Sequence, residues 1–274
     1  MRVFDIPLSD KTGEHEPYMT AYLQEPMPQD PEKKLPAVVV YPGGGYTHLA
    51  AHEGEPVAMA YSGYGFQTFV LYYSLAPYAH YPAQLLDGAR ALSVIREHAE
   101  EWNVDPEKIA ILGFSAGGHA AATLGCLWDS PEVREAGIDP CKARPDACIL
   151  GYSVITTKEG LCHEGSVVSL LGDRIGELRE AMALESRVTE NTPPMFLWHT
   201  AADGGVPVEN SLMMAEALSA KKIPFELHVF PSGNHGLSLA NRRVMQGHPE
   251  RNIPEVAKWL PLSVDWLVRT FGLE

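Results

Sequence analysis

Residues 111–121 read ILGFSAGGHAA, an apolar run that ends in a glycine-flanked serine and continues into an alanine-rich segment. Gly113-Phe114-Ser115-Ala116-Gly117 fits the pattern G-x-S-x-G at a strand-to-helix junction. The glycines have a mechanical purpose in such a junction. The turn is so sharp that side chains on its flanks would collide, and the serine takes a strained backbone conformation that holds its hydroxyl above the sheet, near the positive end of the next helix. A purely structural glycine turn is the competing explanation, and the remainder of the chain decides between them.

Outward from this junction, apolar β-rich runs alternate with helical patterns. Residues 36–41, 66–73, 108–112, 146–152, 195–200 and 225–230 read as strands; their continuous apolarity signals burial on both faces, as in a parallel sheet covered by helices. Between them, 55–64, 83–102, 116–128 and 209–222 read as helices, and in the second Leu85, Leu86, Ala89, Leu92 and Ile95 share one face. A last helix is expected over about 254–271, kinked or split at Pro261. The opening segments MRVFDIPL and MTAYLQEP suit an antiparallel pair at one edge. The expectation is a single α/β domain over residues 1–274, with a doubly wound, mostly parallel sheet of about eight strands and helices on both faces. Residues 157–192 separate two strands by far more than the usual few residues, and so read as a small cap insertion above the C-terminal edge of the sheet.

Composition narrows the function. At 274 residues the chain can bury a full core, and its formal charge of −14, with no basic cluster, argues against a nucleic-acid partner. No apolar run is long enough to span a bilayer, and the first residues lack the apolar segment of a secretory signal. Cys126, Cys141, Cys148 and Cys162 form no CxxC pair and no metal-ligand spacing, so free, mostly buried thiols in the cytoplasm are expected. The oligomeric state stays open, a homo-oligomer included.

A serine hydroxyl needs a base. Most of the eleven histidines have plainer explanations: His98 lies in a charged helix, His228 alternates within a strand, and His119, in the helix after Ser115, packs or faces solvent. His235 stands apart, in the glycine-bearing loop FPSGNHGLSL after the last strand. The base needs a carboxylate. Asp203, in TAADGGVPVENS after the penultimate strand, fits better than Glu209, which belongs to the following helix. An oxyanion needs N–H donors. Gly43-Gly44-Gly45, directly after the strand VVVY, can approach a substrate closely, and the N–H of Ala116 would complete the hole.

YPGGGY, YYSLAPYAHYPAQLLDGARA, GFSAGGHAA, HTAADGGVPVENS and FPSGNHGLSLA together resemble the α/β-hydrolase-fold carboxylesterases, in the branch that joins hormone-sensitive-lipase-like esterases to bacterial acetyl xylan esterases. The resemblance reaches from about residue 36 to residue 240. It implies Ser115 as nucleophile, Asp203 as acid, His235 as base, and oxyanion donors from Gly44, Gly45 and Ala116, with no metal or organic cofactor. One departure is Pro42, which holds the place of a histidine in the hormone-sensitive-lipase pattern; it leaves the choice of donor open among Gly44, Gly45 and Tyr46, and the proline favours the sugar-esterase side.

The resemblance points to a small-molecule ester substrate, an acetylated xylo-oligosaccharide or related sugar. The alternative is a broad short-chain carboxylesterase; a serine peptidase and a non-enzymatic binding protein on the same fold are further readings. Tyr46, Phe114 and Tyr152 either border the acyl pocket or belong to the core, where the five tryptophans are also expected. His163, Glu164, Arg174 and Glu177 in the cap suit a polar, sugar-like alcohol or else a solvated face.

Overall fold

A computed structural model describes residues 1–9, 15–30 and 32–273. The chain runs β1 (Arg2–Pro7), β2 (Tyr18–Leu23), β3 (Leu35–Tyr41), α1 (Glu55–Ser62), β4 (Gln67–Tyr72), α2 (Ala83–Glu97), β5 (Val104–Phe114) and α3 (Ser115–Leu127). The short helices α4 (Pro131–Glu135) and α5 (Pro140–Ala143) lead to β6 (Ala147–Gly151). After it come α6 (Glu164–Leu171), α7 (Ile175–Leu178), β7 (Met195–Thr200), α8 (Glu209–Ala220), β8 (Phe225–Phe230) and α9 (Trp259–Phe271).

The strands form one eight-stranded sheet in the order β1-β2-β4-β3-β5-β6-β7-β8. The pairs β1–β2 and β2–β4 are antiparallel and all others parallel, so the expected edge hairpin is present. Every residue of β6 and β7 is buried, as continuous apolarity requires, whereas the edge strands β1 and β8 are largely exposed or half-buried. Helices cover both faces and enclose two hydrophobic layers: one holds Val39, Ile111, Leu150 and Leu197, the other Val38, Leu112, Ile149 and Phe196. Alternate residues of the same strands feed opposite layers, which is the period-two geometry of a strand.

Chain order reverses beside β3, which has β4 on one side and β5 on the other. The carboxyl ends of neighbouring strands open a crevice at such a switch point. The loops after β3 and β5 meet there.

Three expectations need correction. Pro261 neither kinks nor splits α9. A 3-10 turn over Val256–Lys258 gives way to an unbroken helix at Trp259, and Pro261 lies in its first turn, where a missing N–H costs nothing. Only Cys126 and Cys148 are buried, while Cys141 is exposed and Cys162 half-buried. Trp128 is partly exposed, its indole N–H donating to the Asn191 carbonyl at 3.2 Å, whereas the other four tryptophans are buried.

Residues 157–192 carry α6, α7 and three 3-10 turns. The fully buried Asn210 anchors their root: its Oδ1 accepts from the N–H groups of Ile155 (2.9 Å) and Thr156 (3.0 Å), and its amide donates to the Leu161 carbonyl (2.8 Å). At the far end the Tyr81 N–H donates to the Leu170 carbonyl (2.8 Å). Among the described residues no helix is long and apolar enough to cross a membrane.

Candidate active site

Ser115 is the first residue of α3 and has φ +52°, in the left-handed region. The turn is enforced by contact: a Cβ on Gly117 would stand 2.3 Å from the Tyr41 carbonyl oxygen and 2.4 Å from that of Pro42. The elbow therefore lies directly on the backbone at the end of β3, and this close approach brings the Gly43–Gly45 loop beside the serine.

Ser115 Oγ is 2.8 Å from His235 Nε2, and His235 Nδ1 is 2.8 Å from Asp203 Oδ2. An ionised carboxylate only accepts, so Nδ1 carries the proton, and Nε2 is left to accept from the serine hydroxyl. The other Asp203 oxygen accepts from the N–H groups of Gly205 (2.8 Å) and Val206 (2.9 Å). Burial opposes ionisation of Asp203, but the hydrogen bonds from His199 and His235, the charge of His235 and the Val206 N–H outweigh it and hold the carboxyl well below the usual carboxylate range. Glu209 opens α8 and takes no part in this chain of bonds.

The glycine loop has the geometry of a donor site. Gly44 (φ +127°) and Gly45 (φ +64°) border the cavity above Ser115, and no group among the described residues accepts from their N–H groups. The Ala116 N–H lies in the first turn of α3, where helical N–H groups have no helical acceptor. Tyr46 faces away from the cavity: buried, it donates its hydroxyl to His119 Nδ1 at 2.8 Å.

The cavity has a volume of about 390 Å³. Besides Ser115 and His235 it is bordered by Thr47, His48 and His52 from the loop after β3, and by His163 and Ser169 from the 157–192 segment. Alanine, at position 50, is the largest aliphatic side chain on its wall. Of His163, Glu164, Arg174 and Glu177, which the sequence left open between a sugar-facing role and a solvated face, only His163 borders the cavity. Glu164 pairs with Arg179, and Arg174 with Glu177, on the surface. Phe114 and Tyr152 lie beneath the site instead of lining it. With Trp198 and Trp259 they form a buried aromatic layer, and Tyr152 meets the His235 ring edge-on at 5.0 Å between centroids.

Sequence reasoning passed over two residues that hold this site, His199 and Glu53, and read a third, His119, only as a histidine that packs or faces solvent. His199, at the end of β7, donates from Nε2 to the Val206 carbonyl (3.0 Å) and lies 3.4 Å from Asp203 Oδ2, while the Ser211 hydroxyl donates to its Nδ1 (2.8 Å). Glu53, 2% exposed, accepts from the Gly43 N–H (2.7 Å) and the Tyr152 hydroxyl (2.7 Å). His119 donates to the Met182 carbonyl (3.1 Å). A polar residue at the end of a buried strand four positions before Asp203 was a usable signal for His199; Glu53 and His119 gave none. Among the described residues no group of three or more His, Cys, Asp or Glu side chains is placed to hold a metal ion.

The BD-FAE family model matches residues 23–218. Endo-1,4-beta-xylanase B of Butyrivibrio fibrisolvens is 40% identical over 235 residues, which is 84% of this chain and 36% of that protein. Acetylxylan esterase of Xylanibacter ruminicola is 30% identical over 222 residues, covering 78% of this chain and 43% of its own length. The chain thus spans less than half of either curated relative. Among solved structures, an acetyl ester-xyloside bifunctional hydrolase from Caldicellulosiruptor lactoaceticus superimposes with a TM-score of 0.84 at 39% identity, over 98% of this chain and 96% of that one.

Proposed function

The chain belongs to the BD-FAE family and has the α/β-hydrolase fold, and from that premise we propose that it is a serine ester hydrolase that removes acetyl groups from acetylated xylo-oligosaccharides or related sugars. The observation that carries the choice of substrate is the wall of the cavity. Histidine, threonine and serine side chains suit a hydroxyl-rich alcohol, and no aliphatic group larger than alanine offers a long acyl chain a surface on which to bury itself. The relatives named acetylxylan esterase and acetyl ester-xyloside bifunctional hydrolase support the same reading.

In this mechanism His235 Nε2 takes the proton of Ser115 as Oγ attacks the ester carbonyl carbon. The N–H groups of Gly44, Gly45 and Ala116 receive the oxyanion, and Asp203 stabilises the imidazolium. Collapse breaks the bond to the alcohol oxygen, which leaves with the proton from His235. Water then loses a proton to His235 and attacks the acetyl-serine; as the bond to Ser115 Oγ breaks, His235 returns that proton to Oγ, which releases acetate and restores free Ser115. We read residues 1–274 as one catalytic domain with 157–192 as its cap. Its place is the cytoplasm, a reading supported by four free thiols.

Acetate release from acetylated xylo-oligosaccharides, measured beside 4-nitrophenyl acetate and butyrate with Ser115→Ala as control, tests the proposal. Rapid release by the wild type and loss of about 10⁴-fold or more in the variant are expected. Activity on nitrophenyl esters alone would leave a broad short-chain carboxylesterase. Equal inertness of both proteins would remove the esterase reading.

A further inference from the structure

His163 is the N-cap of α6, and its hydrogen bonds fix its protonation. Nδ1 accepts from the Ser166 backbone N–H (3.2 Å) and lies 2.8 Å from the Ser166 hydroxyl. A backbone N–H can only donate, so Nδ1 is bare and the neutral ring carries its proton on Nε2. Burial, and after it the charge of nearby His235, hold this imidazole below the usual histidine range, which keeps the ring neutral. The Nε2–H has no acceptor among the described residues, although the ring borders the same cavity as Ser115 and His235 and lies beside Gly45.

The leaving alcohol defines what such a donor would meet. His235 returns its proton to the alcohol oxygen, so the alcohol lies against His235 during the reaction, in the same cavity that His163 borders. From this juxtaposition we infer that His163 is a specificity-determining residue: its Nε2–H donates to a hydroxyl or ring oxygen of the sugar and orients the acetyl group toward Ser115. The inference rests on the sugar-ester reading above. It gives the cap segment a defined task, since the donor is aimed by the same bond that caps α6.

Two substitutions separate the donor from the cap. His163→Asn keeps a good N-cap acceptor for Ser166 but withdraws the donor from the cavity, whereas His163→Gln returns an N–H at a similar reach. The quantity to measure is the ratio of kcat/KM on acetylated xylo-oligosaccharide to kcat/KM on 4-nitrophenyl acetate, whose alcohol has no hydroxyl or ring oxygen to accept. We expect the ratio to fall about fivefold to tenfold in His163→Asn, the value of one neutral hydrogen bond, and to recover to within about twofold in His163→Gln. An unchanged ratio in His163→Asn overturns the inference, even if both activities fall together. A fall that His163→Gln does not reverse assigns the effect to shape and overturns it as well. If the wild type itself cleaves nitrophenyl acetate but no sugar acetate, the sugar reading fails first and the inference falls with it.

Discussion

The Nε2 of His199 stands 3.4 Å from Asp203 Oδ2, the same oxygen that accepts from His235 at 2.8 Å. Two imidazoles thus hold one fully buried carboxylate, and His199 is itself fixed by Ser211 and the Val206 carbonyl. His199→Phe keeps an aromatic ring, slightly larger than the imidazole, and removes the donor. Because the long contact to a charged acceptor belongs at the weak end of its class, kcat is expected to drop about tenfold with KM nearly constant. Stability should fall by about 1–3 kcal/mol as Ser211 and Val206 lose a buried partner. Steady-state kinetics and urea unfolding check both. An unchanged kcat would show that the backbone N–H groups of Gly205 and Val206 position Asp203 unaided.

Glu53 joins the Gly43–Gly45 loop to the floor of the site. One carboxyl oxygen accepts from Gly43; the other accepts from Tyr152, whose oxygen in turn accepts from the Ser238 N–H at 2.8 Å, three residues beyond His235. Burial, and then Glu53, push the Tyr152 phenol well above its usual range, so it remains a donor. Glu53→Gln puts an NH₂ against one of two groups that need an acceptor. The expected result is a loss of about tenfold in kcat and of about 1–3 kcal/mol in stability. Full activity in this variant would mean that the loop keeps its conformation without the carboxylate.

That the sequence singles out Ser115, Asp203 and His235, which the structure brings together, and is silent on Glu53 and His199 has a physical source. Each member of the first set follows a strand whose apolar run is visible, and glycines lie close to each of them in sequence: Gly113 and Gly117, Gly204 and Gly205, Gly233 and Gly236. Local geometry leaves a local trace. Glu53 meets Tyr152 across 99 positions of sequence, and nothing beside it in HEGEP distinguishes a buried carboxyl from an acidic helix start. The strands were legible for a similar reason, because burial on two faces is written residue by residue. Pro261 reads in sequence as a break because a proline marks a helix's first turn, its place here, as readily as its breakage.

The elbow's dependence on close backbone approach can be tested at Gly117. An alanine Cβ there would meet two carbonyl oxygens at 2.3 and 2.4 Å, and backbone atoms cannot rotate away as a side-chain tip can. Gly117→Ala is expected to cost about 1–3 kcal/mol or more and to lower kcat, since relief requires the elbow to part from the loop that carries Gly44 and Gly45. Thermal unfolding and nitrophenyl acetate kinetics read the two effects. A variant as stable and active as the wild type would mean that β3 and the elbow have room to separate.

His119 provides a pH-dependent prediction with a definite sign. Its ring is fully buried between the glycine loop and the 157–192 segment: it accepts from Tyr46 through Nδ1 and donates to the Met182 carbonyl through Nε2. Burial lowers its pKa from 6.5 to about 4, against a smaller upward pull from the Met182 bond and from Glu185. Between those two values the unfolded chain binds a proton that the folded one refuses. Stability must therefore decrease as pH falls from about 6.5 toward 4, by an amount of order 3 kcal/mol for this group alone, and stay flat for it below that. His119→Gln can keep a hydrogen bond on each side without titrating, so its stability should vary less with pH over the same interval. Urea unfolding at pH 7, 6, 5 and 4 for both proteins isolates the difference from the carboxylates, which titrate in each. Parallel curves would mean that folded His119 accepts its proton at the ordinary pH, and that the bond to Tyr46 does not depend on its neutrality.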